Sequence, residues 1–203
     1  MNITRLLAAA VLSIAAITIL FMALPIKSTE EPHTGVVVSG RRLPDFTLIS
    51  QYNQSFSLSK VAGRPVILFF GYTGCPDVCP LAMRKISESL KILGPKSEDF
   101  AVIFITVDPL RDTPSTLSRW LSQYYPKAIA LTGDLEELGK VWKTYGAARV
   151  EDYESAVRRE DTYYVSHSAV IYVADRNHVL RRILTPEMDT ETFRQVLEEV
   201  YRS

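Results

Sequence analysis

The stretch that decides the fold runs from Pro65 to Leu93. It opens with PVILFF (65–70), continues as Gly71-Tyr72-Thr73-Gly74-Cys75-Pro76-Asp77-Val78-Cys79-Pro80, and ends in the segment Leu81–Leu93. The opening is a continuous apolar run, the mark of a strand buried on both faces. The closing segment places Leu81, Ile86, Leu90 and Leu93 at helical spacing, and Gly94 and Pro95 stop it. Between strand and helix lie the chain's two cysteines, Cys75 and Cys79. Active sites of open α/β sheets gather at such strand ends.

Outward from this stretch, strands and helices alternate. Upstream, Phe46–Ile49 and Ser55–Leu58 flank the polar turn Gln51–Gln54 and predict an opening hairpin. Downstream, Ala101–Val107 (AVIFITV) is a second buried strand. Pro114–Tyr125 predicts a helix with Thr113 as N-cap and Pro114 at its first position. A short strand over Ala128–Leu131 and a helix over Leu135–Tyr145, begun by Asp134, follow. Strands over Ser168–Ala174 and Val179–Leu184 turn at Asp175-Arg176-Asn177, and an amphipathic helix over Thr190–Tyr201 closes the chain. Tyr153–Tyr164 is polar and charged, and is expected as a loop or hairpin on the surface beside His167. The order predicts an α/β thioredoxin-like fold, a central sheet flanked by helices, spanning residues 40–203.

Each cysteine precedes a proline, which biases both away from helical dihedrals. Pro80 is therefore expected at the first helical position, with Cys79 at the cap and Cys75 in the loop. A helix N-terminus favours thiolate over thiol, so Cys79 should have the lowered pKa. A structural disulfide would close a very short loop, worth roughly 2 kcal/mol in the chain-entropy model, a modest gain for a domain with this much core. The pair instead reads as a redox-active or metal-binding site. Three residues separate the cysteines, against two in the usual redox motif of this fold, and the wider spacing leaves room for an ion between the sulfurs.

A third donor is sought among His33, His167 and His178. His33 falls in a linker and His178 in a turn, where solvation accounts for both. His167 stands just before the strand Ser168–Ala174, at the place where thioredoxins carry a cis-proline facing the cysteines. Two sulfurs and one imidazole suit copper: soft thiolates favour Cu(I), and imidazole helps hold Cu(II). Closed zinc sites usually take four protein ligands, and this chain has no third cysteine. Asp108, at the end of Ala101–Val107, is the leading candidate for a residue acting on the site from behind the ligands.

The N-terminus supplies an address. Between Arg5 and Lys27 the run Leu6–Ile26 carries no charge, about the 20 residues a helix needs to cross the hydrocarbon core. Arg5 favours a cytoplasmic start, with the remainder outside. The competing reading, a cleaved signal peptide, has a shorter apolar region and needs a cleavage site that Met22-Ala23-Leu24 supplies poorly. Residues 1–26 are read as a membrane anchor and 27–39 as a linker. The segment lacks the Arg- and Ser-rich character of a transit peptide, which favours a single-pass protein of a bacterial inner membrane with its C-terminal domain in the periplasm. The chain of 203 residues is formally neutral, so bulk electrostatics give no reason to expect nucleic-acid binding.

These residues resemble the Sco/SenC family of copper chaperones for cytochrome c oxidase assembly. Phe69-Phe70-Gly71-Tyr72-Thr73 leading into Cys75-Pro76-Asp77-Val78-Cys79-Pro80 is one signature. Val107-Asp108-Pro109 with Arg111-Asp112-Thr113-Pro114 is a second, and Ser166-His167-Ser168 is similar to the family's histidine motif. Ser166 departs from the aspartate often found before that histidine. The resemblance implies that Cys75, Cys79 and His167 bind one copper ion per chain. It also implies that the protein helps load the binuclear copper centre of oxidase subunit II. An upstream periplasmic copper donor or a thioredoxin-like reductant would be further partners. The alternative it carries is a thiol–disulfide oxidoreductase, not a conventional enzyme, that uses Cys75 and Cys79 to reduce the cysteines of that centre.

Overall fold

The structure is a computed structural model, and it describes residues 35–37, 40–159 and 163–203. The expected membrane helix over 6–26, the anchor 1–26 and most of the linker 27–39 lie outside the described residues. Among the described residues, no helix is long and apolar enough to cross a membrane.

The strands are β1 (Val36–Val37), β2 (Thr47–Ser50), β3 (Ser55–Ser57), β4 (Val66–Gly71), β5 (Ala101–Thr106), β6 (Ile129–Thr132), β7 (Ile171–Ala174) and β8 (Leu180–Leu184). They form one mixed sheet in the order β1-β8-β7-β4-β5-β6-β2-β3. At its centre β4 runs parallel to β5, with Val66 opposite Ala101 and Gly71 opposite Thr106, and antiparallel to β7. Every residue of β4 and β5 is buried, as a strand covered on both faces requires. The opening hairpin forms as the alternating Phe56 and serines predict, with Leu48 opposite Phe56. Leu58 leaves it to start a turn of 3-10 helix.

The helices are α1 (Val78–Leu93), α2 (Pro114–Leu121), α3 (Leu135–Tyr145), α4 (Val150–Arg159) and α5 (Thr190–Arg202). Side-chain caps start three of them. Thr113, Asp134 and Asp189 accept from the backbone N–H of Thr116, Glu137 and Thr192, satisfying donors that the helix cannot. One sheet face carries Phe69, Gly71 and Phe104 and meets α1 through Cys79 and α2 through Trp120. Along α1 lies α5, tied by Lys85 and Ser89 to Thr190. The opposite face carries Phe70 and Tyr172, which pack on Tyr145 of α3. Trp142 of α3 is fully buried and donates its indole N–H to the Thr106 carbonyl.

Two expectations are corrected. The segment expected as a loop or hairpin over Tyr153–Tyr164 begins as helix, because α4 extends to Arg159. Val150, Tyr153 and Ala156–Val157 fall at helical spacing, and Tyr153 buries its ring against Trp142. The Arg149–Asp152 and Glu154–Arg158 ion pairs line the outer face. That face masked the period, since charge dominates the composition. The second correction concerns α1, which starts at Val78 with Asp77 in the cap position, so Cys79 and Pro80 both lie in the first turn. The first four N–H groups of a helix have no intrahelical partner, and a proline there forfeits nothing. The bond from Leu81 N–H to the Asp77 carbonyl closes this turn around it.

Candidate metal centre

The site sits at the C-terminal end of β4, where the chain leaves the sheet through Tyr72–Asp77 and re-enters as α1. Cys79 is fully buried against the sheet, and Cys75 is nearly so at 8% exposure. Both are free thiols. Gly71 is what lets Cys79 approach: a Cβ there would stand 2.8 Å from Cys79 Sγ. In the loop, the Cys75 N–H donates to the Tyr72 carbonyl at 3.2 Å, a turn that directs the thiol back towards Cys79.

His167 arrives from the segment that precedes β7. Its Nε2 lies 3.6 Å from Cys79 Sγ, and its Nδ1 lies 3.1 Å from the Val165 carbonyl oxygen. A carbonyl can only accept, so Nδ1 carries a proton and Nε2 is the nitrogen that faces the sulfur. The Tyr72 ring and the imidazole pack edge to face at 5.5 Å between centroids, with the planes at 82°. Cys79 and His167 are thus in contact, and Cys75 lies in the loop beside Cys79.

The thiols differ in acidity, opposite to the expectation from helix capping. A hydrogen bond from the Cys79 thiol is the largest influence on Cys75, lowering its pKa from 9.0 to about 5. Burial opposes this, while backbone bonds from Cys79 and Asp77 and the nearness of His167 assist it. Cys79 is pushed up, first by giving that bond and then by its burial. The loop cysteine is therefore the thiolate. Position inside the first turn does not help Cys79, because it is enclosed by apolar side chains and shares its proton with its neighbour.

Asp108 is fully buried, and its carboxylate is taken up by partners other than the sulfurs. It accepts from the Tyr163 hydroxyl at 2.8 Å and pairs with Arg111 Nε. Arg111 stacks on Tyr163 at 3.8 Å and on Tyr72 at 5.5 Å. Asp112, also buried, accepts from the Thr73 N–H and hydroxyl and from the Thr106 hydroxyl at 2.6 Å, pinning the loop to the end of β5. Burial outweighs those donors and raises its pKa. Burial likewise pushes the Tyr72 phenol up to about 12, with Cys75 adding to the rise. Sequence reasoning gave no role to Tyr72, Asp112 or Tyr163. Tyr72 and Asp112 did stand in the two signature segments, and Tyr163 carried no signal of its own.

A donor set of two thiols and an imidazole fits a first-row metal ion. For bonds of about 2.3 Å to sulfur and about 2.0 Å to nitrogen, the S···N edge is about 3.5 Å in a tetrahedral site and about 3.7 Å in a trigonal one. The observed 3.6 Å between Cys79 and His167 lies between them. Among the described residues no group of three or more His, Cys, Asp and Glu side chains already stands in closed ligating geometry. A cleft of about 710 Å³, lined by Lys143, Arg149, Val150, Ser166 and His167 among others, opens beside His167.

A dithiol at a strand–helix junction, faced by a histidine from the segment before β7, defines a thioredoxin-like protein built to hold a soft ion or to exchange disulfides. The family model for SCO1/SenC matches residues 39–202, and the chain belongs to that family. An SCO2-like protein of Rickettsia conorii is 33% identical over 168 residues, 78% of each chain. A putative copper-binding protein of Stutzerimonas stutzeri is 34% identical, covering 79% of this chain and 77% of its own. Among solved structures, Bradyrhizobium japonicum ScoI with copper bound superposes with a TM-score of 0.67 at 33% identity, covering 79% of this chain and 99% of that one. Yeast Sco1 with copper bound gives 0.73 at 28%, covering 81% and 90%.

Proposed function

We propose that this protein is a copper carrier for cytochrome c oxidase assembly, holding one copper ion on Cys75, Cys79 and His167 and passing it to the binuclear centre of subunit II. The observation that carries this reading is the Cys79–His167 contact. A histidine with its Nδ1 proton occupied by Val165 and its Nε2 aimed at a thiol is a ligand arrangement, and a dithiol reductant has no need of it. The copper-bound relatives ScoI and Sco1 support the choice of metal.

Three donors leave an incoming cysteine or histidine of the acceptor a place to bind, so the cargo can move by ligand exchange. Cys75, already a thiolate and on the loop, holds the ion from the open side, while Cys79 holds it from the buried side. Residues 6–26 as an inner-membrane anchor would keep the domain near a membrane-bound acceptor and raise its effective concentration. The test is transfer. Copper-loaded protein mixed with apo subunit II should produce the binuclear centre's absorption, and a His167→Ala protein with unchanged yield would contradict the reading.

The split between the two thiols favours a second activity at the same site. The Cys75 thiolate can attack one sulfur of an acceptor disulfide, expelling the other as a thiolate that takes up a proton. Cys79 then loses its proton and attacks Cys75 Sγ, releasing the second acceptor thiol and leaving a Cys75–Cys79 disulfide. Two electrons pass to the acceptor, with one proton from Cys79 and one from solvent. Failure of the reduced protein to reduce oxidised subunit II would remove this activity and leave the carrier reading intact.

A further inference from the structure

The ligands come from two separate pieces of chain. Cys75 and Cys79 belong to the β4–α1 junction, and His167 to the segment before β7. No hydrogen-bonded ladder spans residues 163–167, since β7 begins only at Ile171. The Ser168 N–H, bonded to the Ala147 carbonyl at 2.6 Å, holds the residue after His167, and something other than the sheet must hold the stretch before it. Arg111 touches both pieces. On one side its guanidinium stacks on the Tyr163 ring, and Nη1 donates to the Tyr163 carbonyl at 3.0 Å. On the other it lies over the Tyr72 ring, and a Cβ on Gly74 would be 3.5 Å from its Cζ. Tyr163 is four residues before His167, and Gly74 is next to Cys75. Tyr72 completes the link, because its ring also packs on His167.

Arg111 is itself held. Its Nε pairs with the buried Asp108, whose other oxygen accepts from Tyr163. A planar guanidinium suits this place: it stacks on two aromatic faces while its edge makes directed hydrogen bonds, which an ammonium cannot do.

We propose that Arg111, held by Asp108, is the positioning residue of this site, a strut that sets His167 at its distance from the Cys75–Cys79 pair. It touches neither sulfur nor imidazole and acts through Tyr72 and Tyr163. The inference rests on the copper reading only for its effect on metal affinity; the placement of His167 is a property of the metal-free protein.

The experiment is a double-mutant cycle on the full chain with Arg111→Met, Arg111→Lys and His167→Ala, reading Cu(I) affinity by competition with a chromogenic chelator. Residues that orient a metal-binding histidine typically contribute about 10- to 100-fold in affinity. R111M should lose that much in the wild-type background and less than about threefold when His167 is already alanine. R111K, with the charge but not the planar fork, should recover little. Equal losses in both backgrounds would make Arg111 a general stabiliser and overturn the proposal, as would no loss in either. A copper-free readout separates this from the carrier reading. In ring ¹H–¹⁵N spectra of the apo protein, R111M should shift the His167 nitrogens and leave those of His178 in place. If H167A left copper affinity unchanged, the ligand assignment would fall, and an unshifted His167 spectrum in R111M would overturn the strut by itself.

Discussion

Replacing Gly71 by alanine adds one methyl group at the point where strand, helix and metal site meet. Its Cβ would lie 2.8 Å from Cys79 Sγ, 3.0 Å from Phe104 Cε2 and 3.1 Å from Phe69 Cε1. Unstrained heavy-atom contacts sit near 3.5–4.0 Å, so each of the three is too close. Both phenylalanines are fully buried and packed on each other at 6.0 Å, which leaves Cys79 as the group that must turn. Alanine in place of a strand glycine would otherwise gain about 0.5–1 kcal/mol from the unfolded chain. Overpacking of this kind costs about 1–3 kcal/mol, so the net loss should be about 1 kcal/mol, within bounds of about 0–2.5 kcal/mol, with a fall of a few degrees in Tm. Copper affinity should fall as well, because the Sγ–Nε2 spacing of 3.6 Å changes. Urea unfolding and copper competition on the reduced protein read the two effects. A Gly71→Ala protein as stable as wild type, with unchanged affinity, would refute the reasoning.

Three further outcomes follow from the same geometry. With Cys75 at about 5 and Cys79 pushed up, alkylation of the reduced protein should label Cys75 alone. Thiolate is lost only as pH falls through about 5, so labelling should persist at pH 6, where an ordinary thiol is nearly inert; at neutral pH the advantage shrinks, because a low-pKa thiolate is a weaker nucleophile. Mass-spectrometric mapping checks this, and dominant labelling of Cys79 would contradict it. Asp112→Asn would turn an amide N–H₂ towards donors from Thr73 and Thr106, costing about 1–3 kcal/mol; unfolding at neutral pH that matches wild type would count against the pin. Gly139→Ala would place its Cβ 2.5 Å from Val150 Cγ2, so α4 should loosen, seen as faster amide exchange over 150–159 with β4 and β5 unaffected.

How much of this was legible in the sequence depended on whether one segment carried the signal. The strands Val66–Gly71 and Ala101–Thr106 were plain because burial on both faces leaves an uninterrupted apolar run. Helix α3 was plain because Asp134 begins it, and the structure adds its stop at Gly146, at a left-handed φ of 66°. Helix α4 was not, since its few buried side chains are outnumbered by ion-paired charges. The same limit applied at the site. Cys75, Cys79 and His167 were singled out by residue type, spacing and place in the strand order. The direction of the thiol pKa split was missed, because it depends on which sulfur the helix encloses. The link through Asp108, Arg111, Tyr163 and Tyr72 was missed as a unit, because its members come from three loops.

The central claim is that Cys75, Cys79 and His167 form one copper site. The most direct measurement is copper titration of the reduced protein, followed by absorption and paramagnetic resonance, for wild type, Cys75→Ser, Cys79→Ser and His167→Ala. The account predicts one equivalent bound tightly by wild type, weakened sharply in all three variants, with nitrogen coupling in the Cu(II) spectrum absent from His167→Ala. Tight binding in His167→Ala with an unchanged spectrum would contradict it.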